Sequence, residues 1–242
     1  MLQITCKGAL LAKMFKAIEA ITRETILEVT HDKLETRAVD AANVAMVYLS
    51  VSPNEFDRYS LDTEMSIGLP VSRLIPLCPH LEKEKSVDLT CDKSKLTLVF
   101  ANKEYSLRLL DVKTIRRSPN KVNINMTTQF TLPTSTFSEI IKSAKLLEKC
   151  DKVRFLAEGS TLQCLLRGAD EDDSLKHIYE IQETTSGNAL YALDYLKELA
   201  GGLCSDNIHI EYSTDKPILI SSDFGEHSSK LEYLLAPRIE VE

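Results

Sequence analysis

The chain has 242 residues, 43% of them apolar and 27% charged, with 8 glycines and 8 prolines. That length can bury one large core or two mid-sized ones, and the composition excludes collagen-like, mucin-like and disordered classes. With 29 basic and 36 acidic residues the formal net charge is −7, which excludes a protein that coats nucleic acid with its whole surface but leaves room for a local basic face.

The opening stretch MLQITCKGALLAKMFKAIEAI reads as structure rather than as a leader, because Lys7, Lys13 and Lys16 interrupt its apolar run. A helix is expected near 9–24, where Leu10, Met14, Ile18 and Ile21 recur at helical spacing. Strands follow at Ile26–Thr30, Leu34–Val39 and Val44–Val51. Next come a short helical or turn-rich segment at 70–83 and a meander through VDLTCDKSKLTLVF and EYSLRLLDV. The polar stretch 113–125 carries Pro119, lacks either periodicity and reads as an exposed crossing segment. A second helix is expected near 136–149, striped by Phe137, Ile140, Ile141, Ala144 and Leu147, with Thr136 and Glu139 as a capping box. Strands at Val153–Ala157, Thr161–Leu166 and His177–Ile181, a helical segment at 189–201, and a closing meander through IHIEYSTDKPILIS and KLEYLLAP complete the chain.

The same order of elements thus returns after about 120 to 126 residues, near half the chain, and even the turn pairs Asp92-Lys93 and Asp215-Lys216 recur. Two domains of one design are expected at 1–112 and 126–242, joined by a connecting loop at 113–125. Alternating strands between tight turns predict an α+β fold, with antiparallel sheets and helices segregated to one face. The apolar runs fall far short of the roughly 20 residues that cross a bilayer, so no membrane span is expected. Six cysteines, Cys6, Cys78, Cys91, Cys150, Cys164 and Cys204, lack short paired spacings. Reduced thiols and a cytosolic setting are favoured, and the triplet Asn125-Met126-Thr127 carries no information there.

At about 100° per residue, Lys13, Lys16 and Arg23 fall opposite the first helix's apolar stripe, with only Glu19 as a countercharge. Lys142, Lys145 and Lys149 gather on one flank of the second helix. A solvated helix face accounts for one such stripe. Its recurrence in both repeats of an acidic chain points instead to a surface facing phosphates, which lysine contacts without reading base sequence.

Catalytic patterns are missing: there is no phosphate-binding glycine loop, Gly201-Gly202 is too short for a dinucleotide fingerprint, and neither H-E-x-x-H nor C-x-x-C occurs. Neither a cofactor nor a metal is expected. Cys78 and His80, between Pro76 and the chain beyond Pro79, read as packing; a cytosolic Cys/His hydrolase is the remote alternative they allow. His31, His177, His209 and His227 stand alone, and the acidic run Asp170–Asp173 lacks calcium-loop spacing and reads as a solvated turn.

Three segments, LETRAVDAANVAMVYL at Leu34–Leu49, LYALDYLKEL at Leu190–Leu199 and the terminal KLEYLLAPRIE, carry a family pattern. D-x-x-x-V in the first domain, with L-A-P-[KR]-[IV]-E at the end, resembles the proliferating cell nuclear antigen family, the sliding clamps of archaea and eukaryotes. The similarity runs end to end, and the length favours the archaeal branch. The resemblance implies three copies closing into a ring with helices inside and sheets outside. Twelve helices of about 10 Å diameter would make a circle roughly 38 Å across, wide enough for a hydrated duplex. Double-stranded DNA would be encircled without sequence preference, faced by Lys13, Lys16, Arg23, Lys142, Lys145 and Lys149. A clamp loader would open the ring, and DNA polymerase, flap nuclease and ligase would be tethered through short peptides bearing a glutamine, an aliphatic residue and two aromatics.

By position, the resemblance implies a peptide pocket of Val39, Ala42, Asn43, Val44, Met46, Ile115, Pro217, Leu234, Ala236 and Pro237. Subunit contact is implied between Tyr105, Leu107 and Leu109 on the first domain's last strand and Leu175, His177 and Tyr179 on a neighbour's second domain. A subunit of a heterotrimeric or checkpoint-type ring is the alternative within the family. The implied location is the cytoplasm with the nucleoid if archaeal, the nucleus if eukaryotic. Three departures stand out. Pro76 and Pro79 fall where a helix is expected and should shorten or break it. Asp194 and Gly201 replace basic types on the fourth helix. Lys113, Arg116, Arg117 and Lys121 make the connector basic, which should favour peptides with acidic flanks.

Overall fold

The computed structural model describes residues 1–118, 124–169 and 172–239. Pro119 and Lys121 of the connector, Asp170 and Glu171 of the acidic run and Glu240, the last residue of the terminal motif, lie outside them. Two compact units are present: Met1–Pro119 with Asp223–Leu231, and Asn120–Ser222 with Glu232–Glu242. The first unit therefore takes in a hairpin that a single cut along the sequence would assign elsewhere.

In the first unit, β1 (Leu2–Cys6) leads to α1 (Gly8–Glu19), then β2 (Thr25–Val29), β3 (Leu34–Val39) and β4 (Ala45–Val51). β5 (Arg58–Leu61) and β6 (Met65–Leu69) follow, then two 3-10 turns, Val71–Arg73 and Ile75–Leu77, and the four-residue α2 (Cys78–Leu81). β7 (Val87–Cys91), β8 (Lys95–Phe100) and β9 (Lys103–Arg108) close it. The strands order as β5-β1-β7-β8-β9 and β4-β3-β2-β6, antiparallel in every registered pair. β3 and β4 alternate strictly: Leu34, Thr36, Ala38, Ala45, Val47, Leu49 and Val51 turn inward, and their neighbours stay half-exposed. Only one face of this sheet is apolar enough to bury, and α1 packs there with Leu11, Met14, Phe15 and Ile18, each contributing roughly 1.5–3 kcal/mol when fully buried.

α1 is shorter than the expected 9–24. The amides of Ile21 and Thr22 both fold back onto the Ile18 carbonyl, and the β-branched Thr25 and Ile26 already belong to β2. α2 is indeed short: Pro76 and Pro79 break the segment into two 3-10 turns and one helical turn. Gly8 is required where α1 meets α2, because a Cβ there would collide with the Leu81 carbonyl.

The second unit contains β10 (Thr128–Pro133), α3 (Thr134–Ser143), β11 (Lys152–Arg167), β12 (Ser174–Ala192), α4 (Leu193–Gly202), β13 (Asn207–Tyr212), β14 (Ile218–Asp223) and β15 (Lys230–Leu235). Its strands order as β10-β13-β14-β15 and β11-β12. The two strands expected at 153–166 are one long β11, which continues through a bulge at Gly159, whose φ of 57° suits glycine. α3 also starts earlier than expected and makes no capping box. The Thr134 amide donates to the Asp206 carbonyl at 2.8 Å and its hydroxyl to that of Ser205 at 2.6 Å, so a distant loop satisfies the helix start and Thr136 sits inside the helix. α3 ends at Ser143 and tightens into a 3-10 turn over Ala144–Leu146. No helix among the described residues is long and apolar enough to cross a membrane.

Candidate functional site

Lys13 projects from α1 into solvent beside a groove of about 400 Å³ that Lys7, Asn54, Glu55, Asp57 and His227 also line. Lys16, one turn on, is not free: its Nζ meets Glu82 Oε1 at 2.5 Å, with the two side chains 42% and 43% exposed. Glu82 follows α2, so the short helix delivers a countercharge that counting along α1 does not reveal. Arg23 is exposed but lies in the loop beyond α1, not on the helix face expected for it.

In the second unit Lys142 is exposed on α3 and Lys145 on the following 3-10 turn, beside Leu146, which is 71% exposed. Lys149, expected at the end of a helix over 136–149, lies beyond α3 and its 3-10 turn, at a φ of 52°, with its Nζ 3.9 Å from the exposed Glu148 carboxylate. Among the described residues, Lys13, Arg23, Lys142 and Lys145 have no carboxylate in ion-pairing reach. On α4, Asp194 holds Lys197 at 3.2 Å, so that helix offers no free cation in its first turns.

Opposite α1's side of the β4-β3-β2-β6 sheet lies a half-exposed face. Val39 pairs with Met46 and Arg37 with Tyr48, so these four side chains share it. The turn joining the strands explains the D-x-x-x-V spacing. Asp40 Oδ1 accepts the amides of Val44 and Ala45 at 2.7 and 2.8 Å, and Oδ2 that of Ala42 at 3.1 Å. This closes the chain tightly enough that Asn43 adopts a φ of 59°. Ala42 and Asn43 are exposed and Val44 half-buried. Ile115, which the resemblance puts in the peptide pocket, is only 6% exposed, and its Cδ1 lies 3.1 Å from where a Cβ on Gly68 would stand. It pins the connector to its own unit, and Arg116 adds a 2.5 Å bond from Nη2 to Asn43 Oδ1.

On the second unit, Pro217, Leu234, Ala236 and Pro237 are all half-buried. The terminal L-A-P-R run is held by Arg238, whose amide donates to the Leu190 carbonyl at 2.7 Å and whose guanidinium meets Asp151 at 2.5 Å. The Tyr191 hydroxyl donates to the Lys216 carbonyl at 2.8 Å, fixing the turn ahead of Pro217.

β9 is the last strand of its sheet. Leu107 and Leu109 are buried within their own unit and Tyr105 is half-buried, so what the edge offers is chiefly backbone with Glu104, Ser106 and Arg108. On β12, Leu175, His177 and Tyr179 are half-buried, while Ile178 is 62% exposed. Ser143 Oγ donates to the Ile140 carbonyl at 2.7 Å, so it accepts from His177 Nε2 at 2.8 Å, and His177 Nδ1 takes the Tyr179 hydroxyl at 3.2 Å. These contacts tie the β12 edge to α3 through the His177 ring.

The Cys/His alternative fails on geometry. Cys78 is fully buried against the Ala12 and Leu74 carbonyls, and burial pushes its thiol up to about 11, while His80 points to solvent. A thiol so placed is inert as a nucleophile. Glu55 is the residue that sequence reasoning missed. It accepts the amides of Glu226 and His227 at 2.9 and 2.7 Å and the Ser229 hydroxyl at 2.8 Å, fastening the Asp223–Leu231 hairpin to the first unit.

Each unit is α+β, with lysines free of carboxylate partners on or just after its leading helix, and β9 leaves an open strand edge. The family model for the proliferating cell nuclear antigen N-terminal domain matches residues 1–116. A DNA polymerase sliding clamp of Methanocorpusculum labreanum and one of Archaeoglobus fulgidus are each 30% identical to this chain, with 100% of both chains covered. A solved structure described as the C-terminal region of FEN-1 bound to A. fulgidus PCNA superposes with a TM-score of 0.91 at 28% identity, covering 100% of both chains. The PCNA of Thermococcus kodakaraensis, at 18% identity, shares the fold with a TM-score of 0.87 over 98% of this chain and 100% of its own. The chain belongs to the proliferating cell nuclear antigen family of DNA polymerase sliding clamps.

Proposed function

We propose that this chain is a non-enzymatic processivity factor, three copies of which close into a ring around duplex DNA. Lys13, Lys142 and Lys145 face the phosphates, with Lys16 held in reserve by Glu82. Weak contacts with phosphate oxygens suit a clamp, because they exchange with counterions, carry no base preference and let the ring slide. The observation that carries the reading is the duplication of unpaired lysines on α1 and on the α3 segment within an acidic chain of family-wide similarity. β9 and the first half of β12 supply the edges that neighbouring copies would pair, with Ile178 covered in the process.

Polymerase, flap nuclease and ligase would be held by short apolar peptides. The contacts proposed are Val39, Ala42, Asn43, Val44 and Met46 on the first unit, with Pro217, Leu234, Ala236 and Pro237 on the second. Small and flexible apolar side chains of this kind accept aromatic plugs. The archaeal relatives support a cytoplasmic, nucleoid-associated setting. Native mass spectrometry tests the assembly: three chains of 27.2 kDa weigh about 82 kDa. A mass of one chain at micromolar concentration would refute a self-sufficient homotrimer and favour a ring built with sister subunits.

A further inference from the structure

The peptide face of the first unit continues into a basic one. Two residues along β3 and β4 from the Val39–Met46 pair, about 7 Å, the paired Arg37 and Tyr48 lie on the same side of the sheet, with the guanidinium 5.2 Å from the ring centroid. A groove of about 170 Å³ opens there, bounded by Arg37, Tyr48, Arg116 and Arg117. Its two carboxylates already have partners. Glu35 pairs with Lys33 at 2.7 Å and accepts the Tyr48 hydroxyl at 3.1 Å, and Glu28 accepts the Ser66 hydroxyl. Among the described residues, Arg116 meets only the neutral Asn43 and neither Lys113 nor Arg117 has a carboxylate in reach. The apolar Val39–Met46 pair is thus followed on the same face by three arginines set against two carboxylates, one of them already neutralised by Lys33, on a chain whose net charge is −7.

We infer that the peptides this clamp holds carry aspartate or glutamate beside their apolar segment, and that Lys113, Arg116 and Arg117 read that charge. The inference rests on the peptide docking proposed above and adds the chemical class of the flank. Arginine suits the role, since its planar fork meets a carboxylate through two parallel hydrogen bonds. Complementary charge beside an apolar anchor raises the association rate and rejects peptides of the wrong sign.

Three synthetic peptides test it, sharing one core of a glutamine, an aliphatic residue and two aromatics, and differing in an acidic, neutral or basic flank. Fluorescence anisotropy on the assembled protein should show the acidic peptide binding about tenfold tighter than the basic one at about 50 mM salt, a gap that shrinks at about 0.5 M. Lys113→Glu with Arg117→Glu should reverse the order while leaving the neutral peptide unchanged, because neither side chain holds the fold together. Equal or tighter binding of the basic peptide overturns the inference while leaving docking intact. Failure of all three peptides, the neutral one included, overturns the docking reading itself. If the double variant instead weakens duplex DNA binding and leaves the peptide order unchanged, the cations serve DNA and the inference is wrong.

Discussion

Glu82→Gln isolates the electrostatics of the surface proposed to face DNA. The Lys16–Glu82 pair is a single 2.5 Å contact between side chains more than two-fifths exposed. Pairs so placed contribute about 0–1 kcal/mol, so the variant should keep its melting temperature to within about 3 °C. Its effect on DNA should be large, because Glu82 neutralises a lysine that would otherwise displace condensed counterions. Each phosphate newly contacted steepens the slope of log K against log salt by about 0.9, or up to about 2.7 for a ring with three copies of Lys16. Between about 50 and 200 mM salt the variant should lose roughly fortyfold more affinity than the parent, starting from tighter binding at low salt. Salt titration of clamp binding to duplex DNA measures this, and Lys16→Gln combined with Glu82→Gln should erase the increment. An unchanged or shallower slope in Glu82→Gln would place Lys16 away from the phosphates and refute the reasoning.

Other residues make narrower tests. Burial pushes the Glu55 carboxyl up, but two backbone amides and the Ser229 hydroxyl bring it below its ordinary value of 4.5. Its contribution is therefore complete above that pH and is lost as pH falls through the lower folded value. Glu55→Ala should cost about 1–2 kcal/mol and speed amide exchange in 225–229 at neutral pH. It should also flatten the acid-induced loss of stability, as urea midpoints across a pH series would show. Asp40→Ala orphans three amides in the turn after β3 and should lower stability by about 1–3 kcal/mol; peptide affinity should fall with it, as anisotropy would report. Ile178→Lys places a charge on the open β12 edge and should shift the assembly toward single chains in sedimentation, with the circular dichroism spectrum unchanged.

The repeat was legible in the sequence because burial imposes it locally: alternation along β3 and β4 and the apolar stripes of α1 and α3 need only neighbouring residues to be read. The first family motif has a local cause, Asp40 capping its own turn, whereas the terminal one depends on distant partners, Arg238 tying the tail to Asp151 and Leu190. What escaped depends on contacts between residues far apart in the chain. Glu82 reaches back 66 residues to Lys16, and Glu55 holds a hairpin more than 170 residues away. Thr136 and Glu139 formed a good local signature, yet the loop at Ser205 and Asp206 satisfied the start of α3 first. The helix ends were misplaced for a related reason: Arg23 and Lys149 continue the periodicity of charge after the hydrogen-bonded helix has stopped.

Topology offers the most direct test of the central claim, that the lysine-bearing helices surround an enclosed duplex. Clamps loaded onto nicked circular DNA and passed through gel filtration at about 0.5 M salt, where exposed charge contacts are screened, should stay with the circle. Cutting the circle once should release them within minutes. Retention on the cut DNA, or loss from the intact circle at the same rate, would mean that the chain adheres to DNA instead of encircling it.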